Sequence, residues 1–223
     1  MKFAPSLMCM DYLHIQDQIE VMNKHMDLYH VDIMDGHYCP NITLSPDLVK
    51  AFNKVSTLPM DCHLMTTNPL DWIEVLAKNG AACISPHAET INVNAFRIYN
   101  MIESLGCKKG VVVNPATPLS FIEPYLNRID ILTIMTVDVG FAGQPFVEEV
   151  VEKIKEAKRL REEKGYHYEI QIDGSCNVKT YKKLTEAGAD ILIVGSSGLF
   201  GIDEDLDTAC QKMFANYEEC INA

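Results

Sequence analysis

Eight short apolar runs alternate with eight amphipathic runs along this chain, and that alternation restricts the possible folds more than any other feature. The apolar runs fall at residues 3–8, 28–34, 59–65, 82–87, 109–114, 131–137, 168–173 and 190–195. Many are rich in Val and Ile, as expected of strands buried on both faces. The amphipathic runs cover about 11–25, 45–55, 69–79, 93–105, 118–127, 146–164, 177–187 and 204–220 and read as helices. Asp11, Ser45, Asn68 with Pro69, Thr117 with Pro118, and Asn177 sit where helices should begin. Gly80, Gly106, Gly165 and Gly188 sit where they should stop. Such regularity calls for parallel strands joined by crossover helices. Eight units close naturally into a single (β/α)8 TIM barrel over residues 1–223, with an open doubly wound sheet as the other architecture. No composition shift, linker or low-complexity tract divides the chain.

Composition agrees with one full-sized core and narrows the partners. Hydrophobic residues make up 48% of the chain, yet no run approaches the roughly 18 consecutive apolar residues of a membrane span. The N-terminal Met1-Lys-Phe-Ala-Pro5 begins a strand and lacks the organisation of a signal peptide. The eight cysteines are scattered with no Cys-x-x-Cys pair, and Cys62, Cys83 and Cys210 lie inside expected elements. They read as reduced thiols of a cytoplasmic protein. A formal charge of −12 argues against a nucleic-acid partner. It leaves an anionic small substrate open, because backbone N–H groups supply local positive potential even in an acidic protein.

The polar chemistry gathers at the ends of strands. In His30-Val-Asp32-Ile-Met34-Asp35-Gly36, side-chain alternation puts His30, Asp32 and Met34 on one face. An imidazole and a carboxylate on a buried face need partners. In Asp61-Cys-His63-Leu-Met65, His63 and Met65 share a face, and Glu169-Ile-Gln-Ile-Asp173-Gly174-Ser175 ends in another carboxylate. His30, Asp32, His63 and Asp173, each near the C-terminal end of a strand, are competent ligands for one divalent metal ion, whether Zn, Fe, Mn or Co. The plain alternative is a set of barrel-mouth residues hydrogen-bonded to one another. Asp35 reads as a turn residue or a helper to the ligands. Met34, Met65 and Met135 read as barrel filling or as an apolar cap over a reacting carbon.

Three consecutive late loops carry the other signal. Asp138-Val-Gly140-Phe141-Ala142-Gly143-Gln144-Pro145 follows the sixth strand, Gly174-Ser175 the seventh and Gly195-Ser196-Ser197-Gly198 the eighth. Barrel enzymes build phosphate sites from such loops and a helix N-terminus. His87 and Glu89, after the fourth strand, belong to the site rim. His14, His25, His37 and His167 have no constellation and read as surface residues.

At these residues the sequence resembles the ribulose-phosphate 3-epimerase family. The resemblance rests on His30–Gly36, His63-Leu-Met65, Met135–Gln144, Asp173-Gly174 and Gly195-Ser196, and it covers essentially the whole chain. It implies a ribulose-phosphate-binding barrel, an isomerase, a divalent metal on His30, Asp32, His63 and Asp173, and a homodimer or larger homo-oligomer. It also implies C3 epimerisation of a ketose phosphate through a metal-stabilised cis-enediolate. Asp32 and Asp173 would be the acid/base pair, and Ser6 and His63 would position the sugar. Met34, Met65 and Met135 would cap the intermediate, and N–H groups of Gly143, Gly174, Gly195 and Ser196 would hold the phosphate. Within the family, Pro5–Met10, Val137-Asp138, Phe141–Phe146, Asp173–Asn177 and Ser197–Phe200 look most like members acting on D-allulose 6-phosphate and D-fructose 6-phosphate. Pentose-phosphate members usually have Pro-Gly-Phe-Gly-Gly-Gln in the sixth loop and Asp-Gly-Gly in the seventh. Here Val139, Ala142 and Ser175 depart from that pattern, and Val139 also departs from the proline expected of the allulose type. The alternative substrate pair is D-ribulose 5-phosphate and D-xylulose 5-phosphate. Lyases on related barrels typically need a lysine in the constellation, and none lies at the tips of strands two, three or seven. A non-catalytic sugar-phosphate binder has no use for two opposed carboxylates.

Overall fold

The computed structural model describes all 223 residues. Eight strands form one parallel sheet: β1 (Lys2–Pro5), β2 (Tyr29–Met34), β3 (Met60–Met65), β4 (Cys83–Pro86), β5 (Lys108–Val113), β6 (Ile131–Met135), β7 (Glu169–Asp173) and β8 (Ile191–Val194). Their order, β1-β8-β7-β6-β5-β4-β3-β2, runs almost completely around a (β/α)8 TIM barrel. The seam lies between β1 and β2. It is closed by one parallel bridge, Ser6 to His30, and at its base by Asp27, whose Oδ2 accepts from the Phe3 N–H at 2.8 Å.

The helices are α1 (Ile15–Met22), α2 (Pro46–Phe52), α3 (Leu70–Lys78), α4 (Ala88–Ile91), α5 (Ala95–Ser104), α6 (Val150–Lys164), α7 (Tyr181–Ala187) and α8 (Leu206–Asn222). Each lays an apolar stripe on the sheet. In α6 the stripe is Val150, Ile154 and Ala157, at helical spacing, flanked by part-buried Val151 and Leu160, and the remaining positions are charged. Each aliphatic side chain buried this way stabilises the fold by roughly 1.5–3 kcal/mol relative to exposure. Gly165, at φ 65°, ends α6 with its N–H on the Arg161 carbonyl.

Three start signals correspond to other structures. The Ser45 side chain caps α2 as expected, accepting from Leu48 N. Asp11 instead accepts from Leu13 N in a turn, and α1 begins at Ile15, four residues beyond the expected start. Asn177 likewise accepts from Lys179 N, so α7 starts only after Thr180. The segment expected as a helix over 118–127 is a pair of 3-10 turns, Leu119–Phe121 and Glu123–Arg128. Pro124 has no N–H to continue an α-helical ladder there.

Side chains pointing into the barrel form layers. The floor is apolar, with Ala4, Leu28, Cys83, Ile131 and Ile191, and Ile193 of the same cluster reaches up to the mouth. Above it Asp61, Ser85 and Gln171 make a buried polar layer, and above that lie the predicted site residues. Outward-facing Val31, Ile33, Cys62, Leu64, Ile170 and Ile172 join the main core under the helices. All eight cysteines are unpaired, as expected. No helix is long and apolar enough to cross a membrane.

Candidate active site

The strand register brings the four expected ligands together. β2 and β3 pair Asp32 with His63, and β6 and β7 pair Met135 with Asp173. His30 Nε2 lies 3.2 Å from His63 Nδ1. Asp32 Oδ1 is 3.4 Å from the first nitrogen and 3.3 Å from the second. Asp173 Oδ2 is 3.6 and 3.5 Å from the same two atoms. All four donor atoms lie within 4.8 Å of one another. Ligand atoms about 2.1 Å from a tetrahedral ion stand about 3.4 Å apart, so the five separations between 3.2 and 3.6 Å suit a common divalent ion.

Electrostatics point the same way. Burial disfavours the His30 imidazolium, but Asp32, Asp173 and Asp61 outweigh it and hold its pKa well above the ordinary value. Burial also opposes a proton on His63, which hydrogen bonds to Asp173 and Asp32 overcome. Asp32 and Asp173 are correspondingly lowered: burial raises both, and the imidazoles pull them down further. The pocket therefore demands about two positive charges. One divalent ion on two neutral imidazoles supplies the same charge as two imidazolium protons, so the donor set fits a metal chemically as well as geometrically.

Outside this cluster lie further polar residues. Asp61 Oδ2 is 3.4 Å from His30 Nδ1 and accepts from Gln171 Nε2 at 2.8 Å, while Ser85 donates to its other oxygen. Ser6 Oγ donates to Asp32 Oδ2 at 2.7 Å. His87, expected at the rim, is instead wholly buried, with its Nε2 2.8 Å from His63 Nε2. Burial keeps it neutral, with its pKa pushed down to about 4. Its Nδ1 meets Glu89 Oε2 at 3.2 Å. Burial opposes ionisation of Glu89, but its bonds to His87 and Thr117 bring the pKa down to about 2. Asp35 resolves as a turn residue: it accepts from the N–H groups of His37, Tyr38 and Thr67 and from the Thr67 hydroxyl. Sequence patterning did not identify Asp61, or His87 as a buried partner of His63. Alternation shows which face a side chain takes but not which neighbour the register puts beside it.

A cleft opens over the cluster. Ser6, Met34, Met65, Met135, Gly140, Phe141, Ala142, Gly143, Gln144, Gly174, Ser175, Gly195, Ser196 and Ser197 all line it, together with Asp32 and Asp173. His63, also expected to position the sugar, is fully buried below and has no surface on the cleft. Met8, Cys9, Val137, Cys176 and Ile193 are lining residues absent from the expected set. Met34 and Met65 pack together on one side of the mouth and Met135 with Val112 and Val137 on the other. The backbone N–H groups of Gly143, Gly174 and Gly195 make no backbone hydrogen bond, and that of Ser196 meets only the Cys9 thiol. Gly174 is at φ 116°, where a Cβ would lie 2.7 Å from Val137, so its backbone reaches the cleft only as glycine. Ser175 Oγ donates to the Gln144 carbonyl at 2.6 Å, and the Gln144 amide donates to Asp138 and Phe141 carbonyls, tying the sixth and seventh loops together.

Comparison with known proteins is specific. The model of the ribulose-phosphate 3-epimerase family matches residues 2–200. Ribulose-phosphate 3-epimerase of Bacillus subtilis is 41% identical over 198 residues, 88% of this chain and 91% of that protein. The chloroplastic ribulose-5-phosphate-3-epimerase of Arabidopsis thaliana is 40% identical, over 89% of this chain and 71% of its own. The Aquifex aeolicus ribulose-phosphate 3-epimerase is 38% identical over 94% of both. Among solved structures, a mutant tryptophan synthase alpha-subunit from Pyrococcus furiosus superposes with a TM-score of 0.69 at 14% identity, covering 100% of this chain and 98% of that one. That likeness concerns the barrel alone.

Proposed function

The chain belongs to the ribulose-phosphate 3-epimerase family and is an isomerase acting on carbohydrates, and from that premise we propose that it inverts C3 of a ketose phosphate with Asp32 and Asp173 as its acid/base pair. The observation that carries this reading is the convergence of two carboxylates and two imidazoles, all within 4.8 Å, beneath a cleft lined by unpaired loop N–H groups. His30, Asp32, His63 and Asp173 would hold the divalent ion, which as a Lewis acid lowers the cost of developing negative charge on the substrate oxygens.

Inversion needs proton transfer on both faces of C3. β2 and β7 are three strands apart one way around the barrel and five the other, so Asp32 and Asp173 approach the mouth from opposed sides. One carboxylate takes the C3 proton, acidic because it lies next to the C2 carbonyl. The other returns a proton to the opposite face, and the roles exchange in the reverse direction. Ser6 keeps Asp32 aimed by donating to Oδ2, which leaves Oδ1 toward the imidazoles. Met34, Met65 and Met135 exclude water from the enediolate. The N–H groups of Gly143, Gly174, Gly195 and Ser196 receive the phosphate. The whole chain acts as one catalytic domain, in the cytoplasm, on a small sugar phosphate and as a homo-oligomer.

The names of the relatives support D-ribulose 5-phosphate and D-xylulose 5-phosphate as the substrate pair. The hexulose reading, D-allulose 6-phosphate with D-fructose 6-phosphate, is favoured by Ala142 and Ser175, which line the cleft where pentose-phosphate members usually carry glycine. Comparing kcat/KM for D-ribulose 5-phosphate and D-allulose 6-phosphate, with metal-stripped protein reloaded with one divalent ion at a time, decides between them. The Asp173→Asn variant should keep the fold and lose about 10²–10⁴-fold in exchange of the C3 proton with solvent deuterium. Wild-type exchange rates in that variant would remove Asp173 from the acid/base pair.

A further inference from the structure

Beyond the four candidate ligands, His63 continues into a row of polar groups that ends at the rim of the barrel. His63 turns Nδ1 toward the other ligands, so its opposite nitrogen, Nε2, faces His87 Nε2 at 2.8 Å. Two nitrogens at that distance share one proton. If it sits on His63, Nδ1 offers a lone pair to the cluster. If it sits on His87, a neutral His63 carries its proton on Nδ1 and presents an N–H where a ligand lone pair is needed. The choice passes to the far side of His87, where Nδ1 meets Glu89 Oε2 at 3.2 Å. A carboxylate can only accept, so His87 must place its proton on Nδ1 and accept at Nε2, and the shared proton therefore belongs to His63.

We propose that Glu89, through His87, is a positioning residue that fixes the tautomer of His63 and so makes it a metal ligand. The proposal rests on the metal-dependent reading above.

The surroundings of Glu89 are built to keep it an acceptor. Its Oε1 accepts from the Asn114 backbone N–H at 3.2 Å and from the Thr117 hydroxyl. Its Oε2 accepts from the Tyr38 hydroxyl at 3.4 Å, and that hydroxyl itself accepts from Asn114 Nδ2 at 2.7 Å. Lys153 pins the loop carrying these donors, giving its Nζ–H bonds to the Asn114 and Pro115 carbonyls at 2.9 and 2.7 Å. This arrangement makes the isosteric substitution Glu89→Gln informative. The Asn114 N–H cannot rotate or reverse, so the amide oxygen must stay on its side. The NH2 then replaces Oε2 and donates to His87 Nδ1. His87 must carry its proton on Nε2, and His63 is turned into the wrong tautomer although no group has moved.

The test combines two measurements on the full chain. Zn²⁺ is titrated into metal-free wild type and Glu89→Gln against a chromophoric chelator, and the imidazole nitrogens are assigned by long-range ¹H–¹⁵N NMR with and without Zn²⁺. The expected results are a fall in Zn²⁺ affinity of about 10–100-fold in the variant and transfer of the His87 proton from Nδ1 to Nε2. Equal affinities overturn the proposal, as does weaker binding with an unchanged His87 tautomer, which would mean a merely structural role. The wild-type spectrum is decisive by itself should the variant fail to fold: a His87 proton on Nε2 in the Zn²⁺-loaded wild type overturns the relay. A wild-type chain that takes up no Zn²⁺, Mn²⁺, Fe²⁺ or Co²⁺ overturns the metal reading, and the relay's purpose falls with it.

Discussion

Ser175 is the one non-glycine residue held at positive φ, at 51°, and it sits on the wall of the cleft. An L-residue there is destabilised by roughly 1–2 kcal/mol relative to its relaxed backbone. The neighbouring structure offsets this through the bond from its hydroxyl to the Gln144 carbonyl. Ser175→Gly should relieve the strain and release the sixth loop together. The expected outcome is a change in thermal stability of about 1 kcal/mol or less, with a several-fold rise in KM for the sugar phosphate and little change in kcat. Steady-state kinetics check it; an unchanged KM would mean that the Ser175–Gln144 link does not shape the site. His87 makes a second prediction at this scale. Its pKa is depressed from 6.5 to about 4, so its contribution to stability is fully present above about pH 6.5. That contribution is lost as pH falls through 4, because the unfolded chain takes the proton first. A depression of that size amounts to about 3 kcal/mol. In metal-free protein, His87→Gln should therefore narrow the stability gap to wild type by about 3 kcal/mol between pH 7 and pH 4, read by urea denaturation at each pH. A gap independent of pH would show that His87 takes up its proton equally in the folded and unfolded states.

Among the elements, the eighth loop is held by close backbone contact. After Gly195 the chain makes a single wide turn, Ser196–Phe200, that presents Ser196 and Ser197 to the cleft. It packs so closely on the seventh loop that a Cβ on Gly198 would stand 2.2 Å from the Cys176 carbonyl oxygen. Backbone cannot yield as a side-chain tip can. Gly198→Ala should displace this turn, weaken phosphate binding at least tenfold and destabilise the fold by about 1–3 kcal/mol; inorganic phosphate binding by calorimetry and a melting curve test both parts. Strands were the most legible elements in the sequence, since each is a short apolar run, many of them rich in Val and Ile, whose ends differ from the observed ones by no more than a few residues. Helix starts were less legible. Asp11 and Asn177 have the right chemistry for caps, but each closes a local turn two residues on, a competing use of the same side-chain oxygen. In the site, the His30/Asp32 pair was legible because both lie on one strand. The Asp61–His30 and His63–His87 pairs were not, because each joins different strands whose register only the closed sheet defines.

The molecule as a whole is a ring with two cores, one between strands and helices and one inside the strands. The inner core is stratified, with an apolar floor beneath a polar middle and a reactive top. Truncating the floor, as in Ile131→Ala, should cost about 2–5 kcal/mol while leaving substrate affinity unchanged. Denaturant unfolding and KM measured on one preparation separate the two effects; a raised KM would show that the floor supports the site directly. The seam between β1 and β2 has a further consequence. Its bridge joins Ser6 to His30, and the Ser6 hydroxyl also holds Asp32. The clasp of the ring and the chemistry of the mouth are thus the same few atoms. Whatever grips the mouth from above also tightens the clasp, so a bound sugar phosphate should slow amide exchange along the first strand, at residues it never touches.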